Sequence, residues 1–170
     1  NVTISASSKK TATMLSLGYL DQGSLVDNAG YKRFNVNFNN TFKFSDRLKF
    51  TTAVLGSYSK NDALPDRIYH IYQLSPLAPV RDENGKLKLY PTPNESLVTN
   101  PLCEIQNNQN STDEYGVIGS AALDWNIWDG LSYKFSVGLD YSNTNNGVYQ
   151  GSGTRDRSGG AHAASFDSRT

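Results

Sequence analysis

Between positions 33 and 44 the chain alternates with a period of two. Phe34, Val36, Phe38, Phe42 and Phe44 take the even positions, interrupted only by Asn40, and Arg33, Asn35, Asn37, Asn39, Thr41 and Lys43 take the odd ones. Successive side chains of a strand point to opposite faces, so this pattern predicts a strand with one aromatic face and one polar face. Ser45, Asp46 and Arg47 form a tight turn, and the alternation resumes with Leu48, Phe50, Thr52, Val54, Gly56 and Tyr58 on one face. A second pair follows the same rule. Tyr115, Val117, Gly119, Ala121, Leu123, Trp125 and Ile127 share a face; after Trp128, Asp129 and Gly130, so do Leu131, Tyr133, Phe135, Val137, Leu139 and Tyr141. Asp-Gly between alternating runs is a strong hairpin signal. A weaker pair opens the chain: Val2, Ile4 and Ala6, a turn at Ser8, Lys9 and Lys10, then Thr13, Leu15, Leu17 and Tyr19.

The reading is therefore all-β, with six antiparallel strands. A strand needs about 9–11 residues to cross a bilayer, and the last four reach that length. The connections alternate short and long: short turns at 8–10, 45–47 and 128–130, and longer links at 21–30, at 60–114 and from Asn143 onward. Outer-membrane barrels have short periplasmic turns and long extracellular loops, which places the three short turns on the periplasmic side. Phe34, Val36, Phe38, Val54, Leu123, Phe135, Val137 and Leu139 are then lipid-facing. Tyr19, Tyr31, Tyr58, Tyr115 and Tyr141 lie near the long-loop ends and Phe44, Phe50, Trp125, Trp128 and Tyr133 near the short turns, as two interfacial girdles require. A soluble β-sandwich also alternates, but strand length, loop asymmetry and the two aromatic levels favour the membrane. Six strands cannot close, since the smallest membrane barrels have about eight, so the expectation is a section of a larger barrel.

Composition agrees. Formal net charge is zero, from 16 basic and 16 acidic residues, which argues against a nucleic-acid-binding face. Mean hydropathy is −0.53. No run approaches the roughly 18 apolar residues of a membrane helix, but alternating strands keep window averages low. Cys103 is the single cysteine and reads as an incidental free thiol. The chain opens at Asn1 without a signal peptide, which is expected to have been processed off or to lie outside this stretch.

Positions 13–39 read TMLSLGYLDQGSLVDNAGYKRFNVNFN. This stretch resembles a segment of SusC/RagA-type TonB-dependent outer-membrane transporters: Ser16-Leu17-Gly18-Tyr19-Leu20-Asp21-Gln22, then Gly23 and Leu25-Val26, then Lys32-Arg33-Phe34. The family often has Glu-Gly after the Gln; here Gly23 follows directly. Leu74 to Val80 (LSPLAPV), Asp82-Glu83-Asn84-Gly85 and Asn100-Pro101-Leu102 resemble its first large loop. The resemblance implies a partial TonB-dependent-receptor barrel domain over 1–170, part of a barrel of about 22 strands, without its plug. It further implies import of glycans or peptides across the cell outer membrane, a SusD-like surface lipoprotein as partner, and TonB engaged through an N-terminal part absent from this chain.

Candidate chemistry is sparse, and the expectation is not an enzyme and no cofactor. His70 and His162 read as surface loop residues; Asp66 lies four positions from His70, but nothing marks the serine of a triad. Asp82-Glu83-Asn84-Gly85 lacks the spacing of a calcium loop and reads as a β-turn between Val80 and the run from Lys86 to Leu89. Positions 155–160 read as mobile loop. The long loop 60–114 holds all six prolines and exceeds the length of ordinary loops, which suggests order and function; 68–74 reads as a short helix. Arg67, Tyr69, Tyr72, Arg81 and Tyr90 are candidates for contact with an oligosaccharide or peptide substrate or with a partner, because aromatic faces stack on sugar rings and Arg binds carboxylates. Arg33, Lys43, Lys49, Asp124, Lys134 and Asp140 face the lumen in this reading. The alternatives are an outer-membrane barrel enzyme and a structural or adhesive barrel without transport.

Overall fold

A computed structural model describes residues 1–63, 68–157 and 163–170. Seven strands form one antiparallel sheet in sequence order: β1 Val2–Ser7, β2 Thr11–Gly23, β3 Gly30–Ser45, β4 Leu48–Asp62, β5 Asn108–Trp128, β6 Leu131–Gln150 and β7 Ala163–Arg169. The only α-helix among the described residues, α1, is Pro101–Asn107, and 3-10 turns occupy Ile68–Tyr72 and Arg155–Arg157.

The three short turns stand where the alternation predicts them. Gly130 has φ +94°, a backbone region open to glycine and strained for other residues. Register irregularities sit beside two of the turns, between Lys43 and Ser45 and between Asn126 and Trp128. The strand count differs from expectation: the tail continues as strand to Gln150 and returns as β7. β5 begins at Asn108, seven positions before the alternation becomes visible at Tyr115. The long loop therefore spans 63–107, and the β2–β3 loop is 24–29.

Register stacks the apolar positions into rows across the sheet. Leu15, Phe38, Val54, Gly119 and Leu139 are successive partners, with Ile4 opposite Leu15. The last row toward the long loops is Tyr19, Phe34, Tyr58 and Tyr115, with Tyr58 and Tyr115 rings 4.9 Å apart. The last toward the short turns is Leu48, Trp125 and Tyr133. Tyr141 lies one row inside the first of these, opposite Val117. Tyr31 has the opposite parity to Phe34 and belongs to the polar face, which corrects its assignment to the girdle.

The apolar face is uncovered: Ile4, Val137 and Leu139 are 64, 56 and 64 % exposed. Val36, Phe38 and Leu123 are half-buried by their neighbours. Asn40, the one polar interruption of β3, accepts a 2.8 Å hydrogen bond from the Thr13 hydroxyl beside it on the same face. On the opposite face Asp124 lies between Lys49 at 3.1 Å and Lys134 at 3.7 Å, with Lys43 paired to Lys49. Arg33 and Asp140 lie on this same polar face, opposite Ser59 and Ile118. Apart from Gly18 in β2, the buried residues among those described are at the long-loop end, and include His70, Thr99, Asn100, Cys103, Glu104, Ile105 and Thr154.

Candidate functional site: the strap between β4 and β5

The 63–107 strap is built around Asn100, which is fully buried. Its Oδ1 accepts from the Leu102 N–H at 3.1 Å and so caps α1, the usual role of Asn before a helix. Pro101 follows at the first helical position, where no N–H is needed. The Asn100 Nδ2 donates to the carbonyls of Val80 and Lys88, each at 3.0 Å. Those carbonyls belong to a small hairpin closed by the Arg81–Leu87 bridge and by Lys88 N–H donating to Val80 O. Asp82 Oδ1 accepts from the N–H groups of Asn84 and Lys86, and Gly85 turns the chain at φ +78°. The β-turn expected at 82–85 is present.

Helix α1 ties three loops together. Glu104, 2 % exposed, accepts from Asn108 Nδ2 at 2.7 Å and, on its other oxygen, from the Arg155 backbone N–H at 3.2 Å. Arg155 also reaches Leu97 O through Nη1, so this residue of the expected mobile loop is anchored. Asn28, in the β2–β3 loop, donates to Ile105 O at 3.2 Å. Cys103 is free and buried beside Glu104 and directs Sγ at Lys88 O, 3.6 Å away. Burial pushes its thiol pKa up, and the neighbouring Glu104 charge adds to the shift.

His70 departs from expectation. It is 3 % exposed rather than at the surface. Its Nδ1 accepts from the Thr99 N–H at 3.0 Å and lies 2.8 Å from the Thr99 hydroxyl. An acceptor Nδ1 puts the proton of a neutral ring on Nε2. The short helix expected at 68–74 is the five-residue 3-10 turn that positions this ring. His162, Asp66 and Arg67 lie outside the described residues.

Of the candidate contact residues, Tyr69 and Tyr72 share that turn and are 50 and 90 % exposed. Tyr69 packs edge-on against His70, with centroids 4.5 Å apart. Arg81 is tied to the hairpin by Nη1 donating to Gly85 O at 2.8 Å, and Tyr90, also exposed, follows that hairpin. No hydrogen bond or ring contact among the described residues joins Arg81 or Tyr90 to the tyrosine pair. Asn100, Glu104, Thr99 and Thr154 were not singled out from the sequence as functional residues. Only Asn100-Pro101 carried a readable signal, an N-cap followed by proline at N1. Among the described residues, no group of three His, Cys, Asp or Glu side chains is placed to hold a metal ion.

No family model matches this chain, and a search of curated proteins finds no significant match.

Proposed function

We propose that this sheet is a section of the wall of an outer-membrane β-barrel importer of the SusC/RagA type, with its apolar face toward lipid and its polar face toward the lumen. The observation that carries the reading is the height of the apolar band. From Leu48 to Tyr58, the two aromatic-bearing limits on β4, is ten residue steps. At about 3.4 Å per residue that is about 34 Å along the strand. At the usual tilt of about 45° it stands about 24 Å tall, close to the lipid-facing band of about 25 Å in such barrels.

The limits of the band are chemically sharp. One row beyond the tyrosines the same face carries Asp21, Lys32, Lys60 and Asp113. The Tyr19 and Tyr58 hydroxyls donate to Asp21 and Asp113 at 2.9 and 2.7 Å. The rings thus lie on the apolar band while their polar ends reach the charged row, as interfacial aromatics do. No strand pairs with the outer edge of β1 or of β7 among the described residues. In lipid such edges must be paired, so further strands complete a barrel of the 22-strand transporter size. In this reading the strap is an extracellular loop whose exposed tyrosines and Arg81 meet a glycan or peptide substrate or a SusD-like lipoprotein, and TonB acts through the plug of such an importer.

Spin labels placed singly at Ala53 and Val54 of the parent protein in liposomes test the wall. Val54 should be open to oxygen and closed to a water-soluble nickel chelate, and Ala53 the reverse. Equal access to the chelate at both positions would refute the membrane reading. Uptake that persists without TonB would refute the importer while leaving the barrel intact.

A further inference from the structure

A cavity of about 480 Å³ opens at the long-loop end of the sheet, between the β2–β3 hairpin, α1 and the start of β5. Its strand residues are mostly of one parity. Asp21, Lys32, Asp62, Gln109 and Tyr149 line it, and all project to the apolar face, in the charged row and those beyond it. The cavity is therefore on the outside of the sheet and not on the polar, lumenal side. One of its lining residues, Asp62, carries a buried acceptor oxygen, Oδ1, with no hydrogen-bond donor among the described residues; the unpartnered Asn108 Oδ1 belongs to a side chain of the opposite parity, on the polar face. Among the described residues, the cation paired with Asp62 Oδ1 is Lys60, whose Nζ stands off at 3.7 Å. A buried acceptor without a donor is unfavourable, so a ligand that supplies donors is favoured there.

We propose that this cavity binds a saccharide ring, and this rests on the membrane reading above. The donors it lacks are hydroxyls. The amide of Gln109 and the carboxylate of Asp62 are the groups that hydrogen-bond polyols, and Tyr149 lines the cavity with an aromatic ring. Phosphate is disfavoured, because Asp21 lies 3.6 Å from Lys32 and offsets it, and Asp62 adds a further negative charge. The volume falls in the range of small-molecule sites, about 300–1,000 Å³. Its position identifies where such a ring comes from. Asp62 lies two rows above the tyrosines and Gln109 and Tyr149 three, about 14 and 20 Å along the strand, or about 10 and 14 Å in height at the 45° tilt used above. That is just outside a headgroup layer about 5–7.5 Å deep, where sugars projecting from glycolipids lie; a free glycan presents the same chemistry from solution.

The test uses the intact parent protein in lauryldimethylamine oxide, a detergent without sugar. Hydrogen exchange is followed in peptides covering 21–32 and 104–110 while maltose or dodecyl maltoside is added. At about ten times Kd, exchange through local opening should slow about tenfold. Slowing by both probes assigns the site to any saccharide ring, and slowing by the maltoside alone assigns it to lipid-anchored sugars. A Cβ on Gly23, which lines the cavity, would meet nothing within 4 Å, so Gly23→Trp should fill the space without disturbing the sheet. It should abolish the slowing, and Gln109→Ala should weaken it. Absence of slowing with both sugars, or slowing that survives in Gly23→Trp, overturns the site. The spin-label result at Ala53 and Val54 is independent of these readouts, so a failed cavity and a failed membrane reading are distinguishable.

Discussion

Replacing Asn100 with alanine should open the strap while leaving the sheet intact. The side chain makes three hydrogen bonds, one capping α1 and two holding the Val80 and Lys88 carbonyls. Loss of an N-cap costs about 1 kcal/mol. Each carbonyl left without its donor adds about 1 kcal/mol, more if it stays dry. The sum, about 3 kcal/mol, is a little over a hundredfold in the equilibrium for local opening. Cys103 reports that opening, because its buried thiol is reached by an alkylating reagent only when α1 leaves the hairpin. The assay is the alkylation rate of the peptide containing Cys103 in the native parent protein, read by mass spectrometry. Asn100→Ser keeps a capping oxygen but no amide, and should raise the rate about thirtyfold, corresponding to about 2 kcal/mol. Leu97→Ala, at a 67 % exposed position of the same strap, should leave it unchanged. An Asn100→Ala rate within about threefold of wild type, a difference of less than 1 kcal/mol, would refute the hub.

Three further outcomes are expected. In the native protein, Cys103 alkylation should rise with pH later than that of a free thiol, since burial raises its pKa. The fold favours the neutral thiol, so the stabilisation is complete below the ordinary thiol pKa and is lost as pH rises through the raised one; a native profile matching the unfolded peptide would contradict this. Val54→Arg, in the middle of the apolar face, should destabilise the barrel by about 2–4 kcal/mol in refolding titrations into lipid, and the same change at Ala53 by much less; equal losses would argue that both faces meet the same medium. Asp124→Asn should leave the same titration essentially unchanged despite its two lysine neighbours, because exposed ion pairs contribute little, and a clear loss would mean the pair is covered in the whole barrel.

The sheet was legible where one face is apolar and the other polar. In 33–44 and 131–142 the alternation alone sets strand, register parity and turn. It was not legible where strands leave the apolar band. Asn108 to Glu114 reads NQNSTDE and Asn143 to Gln150 reads NTNNGVYQ; with polar groups on both faces they carry little or no periodic signal, yet the ladder continues through them because backbone pairing does not depend on side-chain polarity. β7 was missed for the same reason, with Phe166 its only large apolar residue. The strap shows the complementary limit. Burial of Glu104 and His70 depends on partners far along the chain, Arg155 and Thr99, and polar residues read singly look like surface. Only the Asn-Pro helix start and the Asp-Glu-Asn-Gly turn are local enough to read directly.

The length of the strap bears on how the sheet assembles. Every strand pairs with its sequence neighbours, so the sheet can zip hairpin by hairpin, but β4 and β5 are separated by positions 63–107, 45 residues, against six for the 24–29 loop. Closing the longer loop costs about 1.8 kcal/mol more in chain entropy. A strap that first folds on Asn100 and Glu104 brings Asn108 close to Asp62 before the strands meet, and its effective length falls toward that of a short turn. The same hydrogen bonds that shape the outer surface then decide how readily the central pair of strands finds its register.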